Sequence, residues 1–317
     1  MPKTRYSTQR ATSSMSASKK QKTTPSLYEL LCVRSKYEVD EAAVIQAAQQ
    51  KLDDDDRICP YWYHSRIKSS FLSRALELGL GIDVIKALIS PVAIRQKDLD
   101  NGTALHRACQ GEASSEVLTT VLDAWPDAAK HLDNDRKAPL HYLCQNRYAS
   151  FETLTVVFDA SPDAVFVNNY YSRTPFYWIC QNRYASMDMV HKVLDQWLIL
   201  EHNRSSHAVD SFISEVENQS QEDLRGDIKE PLHYLSSLFK GNNNQNYPYL
   251  NDMMTYFINA NLWNGVWLVI KTHPSIVKTM ELQTTIKADF LFTAKEYLYL
   301  PTMMILIKNE PELLEGV

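Results

Sequence analysis

The chain repeats itself, and that constrains it more than any single motif. TALHRACQ from Thr103, APLHYLCQ from Ala138 and TPFYWICQ from Thr174 open three segments of one layout, 35 and then 36 residues apart. Landmarks downstream keep step: Leu118, Leu154 and Val190 are each 36 apart, as are Pro126 and Pro162. CQNRYAS occurs twice, at Cys144 to Ser150 and Cys180 to Ser186. A half-copy, DVIKALISPVAI, puts Pro91 35 residues before Pro126. Self-similarity at such a period marks a fold in which one small unit is stacked on the next.

The unit itself reads as two helices. Thr or Ala before Pro suits a helix start, because proline's fixed φ fits the first turn and its missing N–H costs nothing there. The spacing predicts a short helix from about Pro139 to Gln145, with Leu140, Leu143 and Cys144 on one face. NRYAS then links to a second helix, with Ser150 as its N-cap and Leu154, Val157 and Phe158 at helical spacing. Pro162 closes that helix or sits just past it, and an extended loop leads to the next opener. Gln145 and Gln181, at the ends of first helices, are placed to hydrogen-bond between units. Sustained alternation at period two is absent, so the expected class is all-α: a solenoid of stacked helix-turn-helix units. One such hairpin cannot bury its apolar faces alone; neighbours complete the core.

The flanks divide by composition. Residues 1–26 carry Lys3, Arg5, Arg10, Lys19, Lys20 and Lys22 and no acid, a charge of +6. They hold few large apolar groups and read as a disordered basic Ser/Thr-rich tail. With a net charge of −5 for all 317 residues, the rest sums to −5 − 6 = −11. An acidic body gives no electrostatic reason to expect nucleic acid. Residues 27–82 read as N-terminal helices capping the array, and 83–200 as the repeats proper. Residues 201–229, with VENQSQEDLRGD, read as a polar, loop-like insertion. From Glu230, EPLHYL restates the opener, and 230–317 read as degenerate C-terminal repeats and a cap.

TALHRAC and APLHYLC, each after a polar turn such as LDNG or DNDRK, resemble the ankyrin-repeat opener T-P-L-H-x-A. The resemblance covers about Asp83 to Leu198 well and the rest faintly. Departures are a longer unit, NRYAS or GEAS where the family has glycine-histidine between its helices, and a tip glycine kept only at Gly102. It implies stacked helix pairs with short irregular or hairpin tips, and a concave groove that binds a protein partner. The residue after the opener's histidine then faces the groove: Arg107, Tyr142, Trp178 and Tyr234. Tip residues Asn134, Arg136, Asn169, Tyr170, Tyr171 and Arg173 add to that expected partner-binding set. The resemblance also assigns the opener histidine to bracing neighbouring turns.

Chemistry finds little footing. His106 with Cys109 and His141 with Cys144 are helical-face pairs of zinc-ligand types. Tyr177 replaces the third histidine, and Ser236 replaces the fourth cysteine beside His233. Ligand sets that lose members from copy to copy suit a core better than a metal, and free cysteine behaves as a small hydrophobe. A nucleophilic Cys144 would need an orienting third group and a cleft, and the same pair exists twice. Gly79 and Gly81 lack a third glycine and a preceding strand, and Asp53 to Asp56 lack EF-hand spacing. The expectation is therefore a non-catalytic interaction scaffold, monomeric, with no cofactor and no metal. The alternative is a regulatory or targeting subunit directed by its basic tail to the nucleus or to a partner enzyme. Five cysteines, no secretory h-region and no run of about 18 apolar residues place it inside the cell, cytoplasmic or nuclear, and off the membrane.

Overall fold

The computed structural model describes residues 25–31, 33, 35–50, 70–219, 224–240, 247–273 and 276. Among the described residues there are 14 helices and no strand. They are α1 Leu27–Leu31, α2 Glu41–Gln49, α3 Phe71–Glu77, α4 Ile82–Leu88, α5 Ala104–Gln110 and α6 Ser115–Ala124. Then come α7 Pro139–Gln145, α8 Phe151–Ala160, α9 Pro175–Gln181 and α10 Met187–Trp197. The last are α11 Ser206–Gln219, α12 Gly226–Lys240, α13 Tyr247–Asn259 and α14 Trp263–Thr272. Residues 1–24 of the basic tail, Asp53 to Asp56 and the segment after 276 lie outside the described residues.

Each unit is built as its residues dictate. Pro139 and Pro175 sit in the first turns of α7 and α9. Ser114, Ser150 and Ser186 cap α6, α8 and α10, each hydroxyl accepting an N–H three residues on. Pro126 and Pro162 open short 3-10 turns just beyond α6 and α8. Gly79, at φ +68, ends α3 in the left-handed region, where a Cβ would press on Glu112.

Odd-numbered helices pack on the next odd helix from α1 through α11, and even-numbered ones on the next even helix from α2 through α12. Between them runs one apolar core in which Leu105, Leu118, Leu140, Leu154, Phe176 and Ile179 are fully buried. The half-copy around Asp83 is the second helix of a complete pair, α3 and α4, which packs on α5 and α6. Repetition thus starts before residue 83.

Two readings of the C-terminal half need correction. Where a loop-like insertion was expected over 201–229, the described residues hold α11 and the start of α12. Val209, Phe212, Ile213 and Val216 are buried along one face of α11, an apolar stripe that the polar letters between them obscure. Nor does EPLHYL open a helix. Pro231 lies inside α12, where Ile228, Pro231, Leu232, Leu235 and Leu238 continue one buried face straight through it. No helix among the described residues is long and apolar enough to cross a membrane.

Candidate functional site

The loop before each opener folds into a turn clamped by one side chain. Asp98 Oδ1 accepts the N–H groups of Asp100 (2.9 Å) and Gly102 (2.8 Å). Asp133 Oδ1 does the same for Asp135 (2.9 Å) and Lys137 (2.8 Å), and Asn169 Oδ1 for Tyr171 (2.9 Å) and Arg173 (3.0 Å). Short polar side chains stabilise turns in this way by standing in for backbone acceptors. Asn101, Arg136 and Ser172 take the left-handed conformation that closes each turn, at φ 60, 59 and 59. Successive tips are joined through main chain: Asn134 N–H donates to Asp100 C=O (2.8 Å) and Tyr170 N–H to Asp135 C=O (3.1 Å). The tips are clamped turns, not strands.

In the first two tips a second contact fixes the tip to the helix behind it, nine residues on. Arg107 donates from Nε to Asp98 Oδ2 (2.7 Å) and pairs with it again through Nη2. Tyr142 O–H donates to Asp133 Oδ2 (2.6 Å), and burial, followed by this carboxylate, pushes the phenol's pKa up. In the third unit Asn169 stands where the aspartates were and Trp178 where Arg107 and Tyr142 were. Asn169 Nδ2 and Trp178 Nε1 are both buried, and neither has an acceptor.

The residues expected at a partner surface therefore separate. Arg107 and Tyr142 are half-buried tip braces, and Asn169, only 4% exposed, is a clamp. Asn134, Arg136, Tyr170 and Tyr171 are exposed, the two tyrosines at 69% and 67%. Trp178 and Arg173 are half-buried. Tyr234 belongs elsewhere: it lies on α12, in the even-numbered series, beside Tyr249, Tyr256 and Phe257, with its O–H on Glu230. Its misplacement follows from Pro231 lying inside a helix.

Cations and rings interleave across the second and third tips. Lys137 Nζ lies 5.2 Å from the Tyr142 ring centre and 5.9 Å from that of Trp178. The Arg173 guanidinium lies 5.3 Å from Trp178, 4.9 Å from Tyr177 and 5.8 Å from Tyr171. Such stacking holds long side chains against aromatic faces while leaving charge at the surface.

The histidines and cysteines of the openers face inward. His106 Nε2 meets Lys137 C=O (3.1 Å) and His141 Nε2 meets Arg173 C=O (3.3 Å). A carbonyl only accepts, so Nε2 carries the proton, and Nδ1 is left to accept the N–H of Thr103 or Ala138, each at 3.0 Å. Burial pushes both imidazoles down to about 4. Each histidine thus ties its own helix start to the end of the following tip. Cys109, Cys144 and Cys180 are buried free thiols on consecutive odd helices. Burial raises the pKa of all three, which keeps them as neutral core groups.

Between the helices of a unit, the asparagine of CQNRYAS carries a role the sequence reading missed. Asn146 Nδ2 donates to Cys109 C=O (2.9 Å) and Gly111 C=O (2.6 Å) of the preceding unit. Asn182 Nδ2 donates to Cys144 C=O and Asn146 C=O, both at 3.0 Å. These are carbonyls at the end of a helix, which have no partner within it. Of the glutamines expected to do this, Gln181 donates to Val216 C=O (2.9 Å), while Gln145 Nε2 is buried without an acceptor. The same linkers expose Tyr148 and Tyr184, with Arg147 lying 4.9 and 5.4 Å from their ring centres.

On the even-numbered side, a cavity of about 570 Å³ is bounded by Phe158, His191, Asp195 and Trp263 among others. Asp195 is raised to about 6 by burial, yet both its oxygens are engaged at the start of α14, by Asn264 N–H (2.8 Å) and Nδ2 (2.9 Å). His191 Nε2 pairs with Tyr256 O–H at 3.0 Å. Among the described residues no three His, Cys, Asp or Glu side chains converge as metal ligands would. Comparison with protein-family models and with curated proteins gave no match to this chain.

Proposed function

We propose that this chain is a non-catalytic protein-interaction scaffold: a solenoid of ankyrin-like helix pairs that binds a protein partner along its odd-numbered helices and tips. The observation that carries the reading is the third tip. Tyr170 and Tyr171 project from a turn held by the Asn169 clamp, by two backbone bonds and by the neighbouring tip. Large exposed aromatics on a rigid base are the groups that dominate protein interfaces, because little side-chain entropy is lost when they are buried. Arg173, Trp178 and Lys137 extend that surface inward with charge held on aromatic faces. Buried free cysteines fit a reducing, intracellular setting, cytoplasmic or nuclear.

The test is quantitative affinity capture with the full chain and a Tyr170→Ser, Tyr171→Ser variant. Both side chains are exposed, so the helical circular-dichroism signal and the melting temperature are expected to stay unchanged. Partner capture is expected to fall at least about tenfold, as for loss of an aromatic hot spot. An unchanged set and amount of captured proteins would overturn the assignment of this surface.

A further inference from the structure

The first two tips each pair an acceptor with a donor: Asp98 with Arg107, and Asp133 with Tyr142. The third carries a donor at both positions of the same nine-residue register. Asn169 Nδ2 and Trp178 Nε1 are buried and have no acceptor, on a clamp residue that is itself only 4% exposed. Buried N–H groups without acceptors are rare, because each forfeits its hydrogen bond to water. The position lacks one thing, an oxygen brought from outside.

We infer that the Asn169–Trp178 pair receives an Asp or Glu carboxylate from a segment of the bound protein. Two neutral donors ask for an acceptor, and the positive charge beside Trp178, from Arg173 and from Lys137 (which also pairs with Asp135 at 3.6 Å), favours a negative one. A single carboxylate suits the place better than a phosphate chain: Asp133 and Asp135 stand at the adjacent tip, and the body of the chain is acidic. Lys137 and Arg173 lie within 6 Å of the indole, where their charge would meet an incoming carboxylate. Tyr170 and Tyr171 then flank the segment that delivers it. The inference rests on the scaffold reading and names the chemistry its third tip selects.

The test uses the ¹⁵N-labelled full chain and follows the indole N–H resonance of Trp178, identified by its absence in Trp178→Phe. The probes are N-acetyl-tetraglutamate amide, the matching tetraglutamine peptide and inorganic phosphate. The tetraglutamate peptide is expected to move the resonance saturably, and tetraglutamine to leave it in place. Asn169→Asp supplies the acceptor that the other two tips have. It is expected to raise the melting temperature by a few degrees, as the buried donor gains its partner, and to weaken the tetraglutamate response at least tenfold. No movement with tetraglutamate, equal movement with tetraglutamine, or movement with phosphate alone would each overturn the inference. The two proposals fail separately. If the tyrosine variant loses its partner while the indole resonance ignores tetraglutamate, the carboxylate assignment falls and the scaffold stands. If the indole responds while the tyrosine variant captures everything, the tip surface falls and the carboxylate site stands.

Discussion

Replacing Asn182 by alanine should loosen the chain more than any exposed change. Asn182 is 8% exposed and makes three hydrogen bonds: Nδ2 to the carbonyls of Cys144 and Asn146, and Oδ1 from Tyr184 N–H, all at 3.0 Å. A net hydrogen bond contributes roughly 1 kcal/mol, and orphaning a buried partner costs somewhat more. The expected loss is therefore about 3 kcal/mol. For a cooperative unit of this size that is a fall of about 6–12 °C in melting temperature. In urea it is a midpoint shift of about 1 M or more. Gln145→Ala is the matched comparison, one residue from Asn146 in the other copy of the motif, with an amide nitrogen that donates to nothing. It should change stability by no more than about 0.5 kcal/mol. Urea unfolding followed by far-ultraviolet circular dichroism measures both. A cost below about 1 kcal/mol for Asn182→Ala, or an equal cost for Gln145→Ala, would refute the view that the asparagine joins the units.

Acid should weaken the fold through its opener histidines. His106 and His141 are pushed to about 4 from the ordinary 6.5, so the unfolded chain binds more protons between those values. Their contribution is full above about pH 6.5 and is lost as the pH falls toward 4, by up to about 1.4 kcal/mol per pH unit for each. Asp195, raised to about 6, works in the opposite direction over part of that window. His141→Gln should flatten the pH dependence of the urea midpoint by about one proton, and an unchanged slope would count against a buried neutral ring. Gly111→Ala would set a Cβ 2.5 Å from Leu76 C=O, and should cost about 1–3 kcal/mol in thermal melts. Gly226→Ala, with nothing within 4 Å, should be nearly neutral. Cys109, Cys144 and Cys180 should stay unmodified by a maleimide in the native chain and react once urea unfolds it, as read by peptide mass spectrometry; rapid native labelling would mean that the core opens readily.

The helical class, the openers before residue 200 and the Ser150 cap were legible because each rests on local rules: apolar spacing, proline at a helix start, a hydroxyl before a helix. Asn146 and Asn182 escaped because asparagine in a linker reads as turn chemistry, while their partners lie about 36 residues away. The tip clamps left a signal that went unused: Asp98, Asp133 and Asn169 each stand five residues before Thr103, Ala138 and Thr174. Arg107 and Tyr142, expected on a binding face, also brace their tips through Asp98 and Asp133, a contact that their letters alone do not show. Pro231 misled because five residues ahead of it are also helical, and an apolar face outweighs one missing N–H.

The tips meet through peptide groups, Asn134 N–H on Asp100 C=O and Tyr170 N–H on Asp135 C=O. A joint written in main-chain atoms survives copying. When a tandem duplication inserts another such stretch, the newcomer meets the same main-chain donor and acceptor at either end, provided its tip keeps the clamping Asp or Asn. Chain length can then change by whole units without new complementarity having to evolve, and exposed tip residues can drift while the joint holds. Twin copies such as CQNRYAS are what such an event would leave behind.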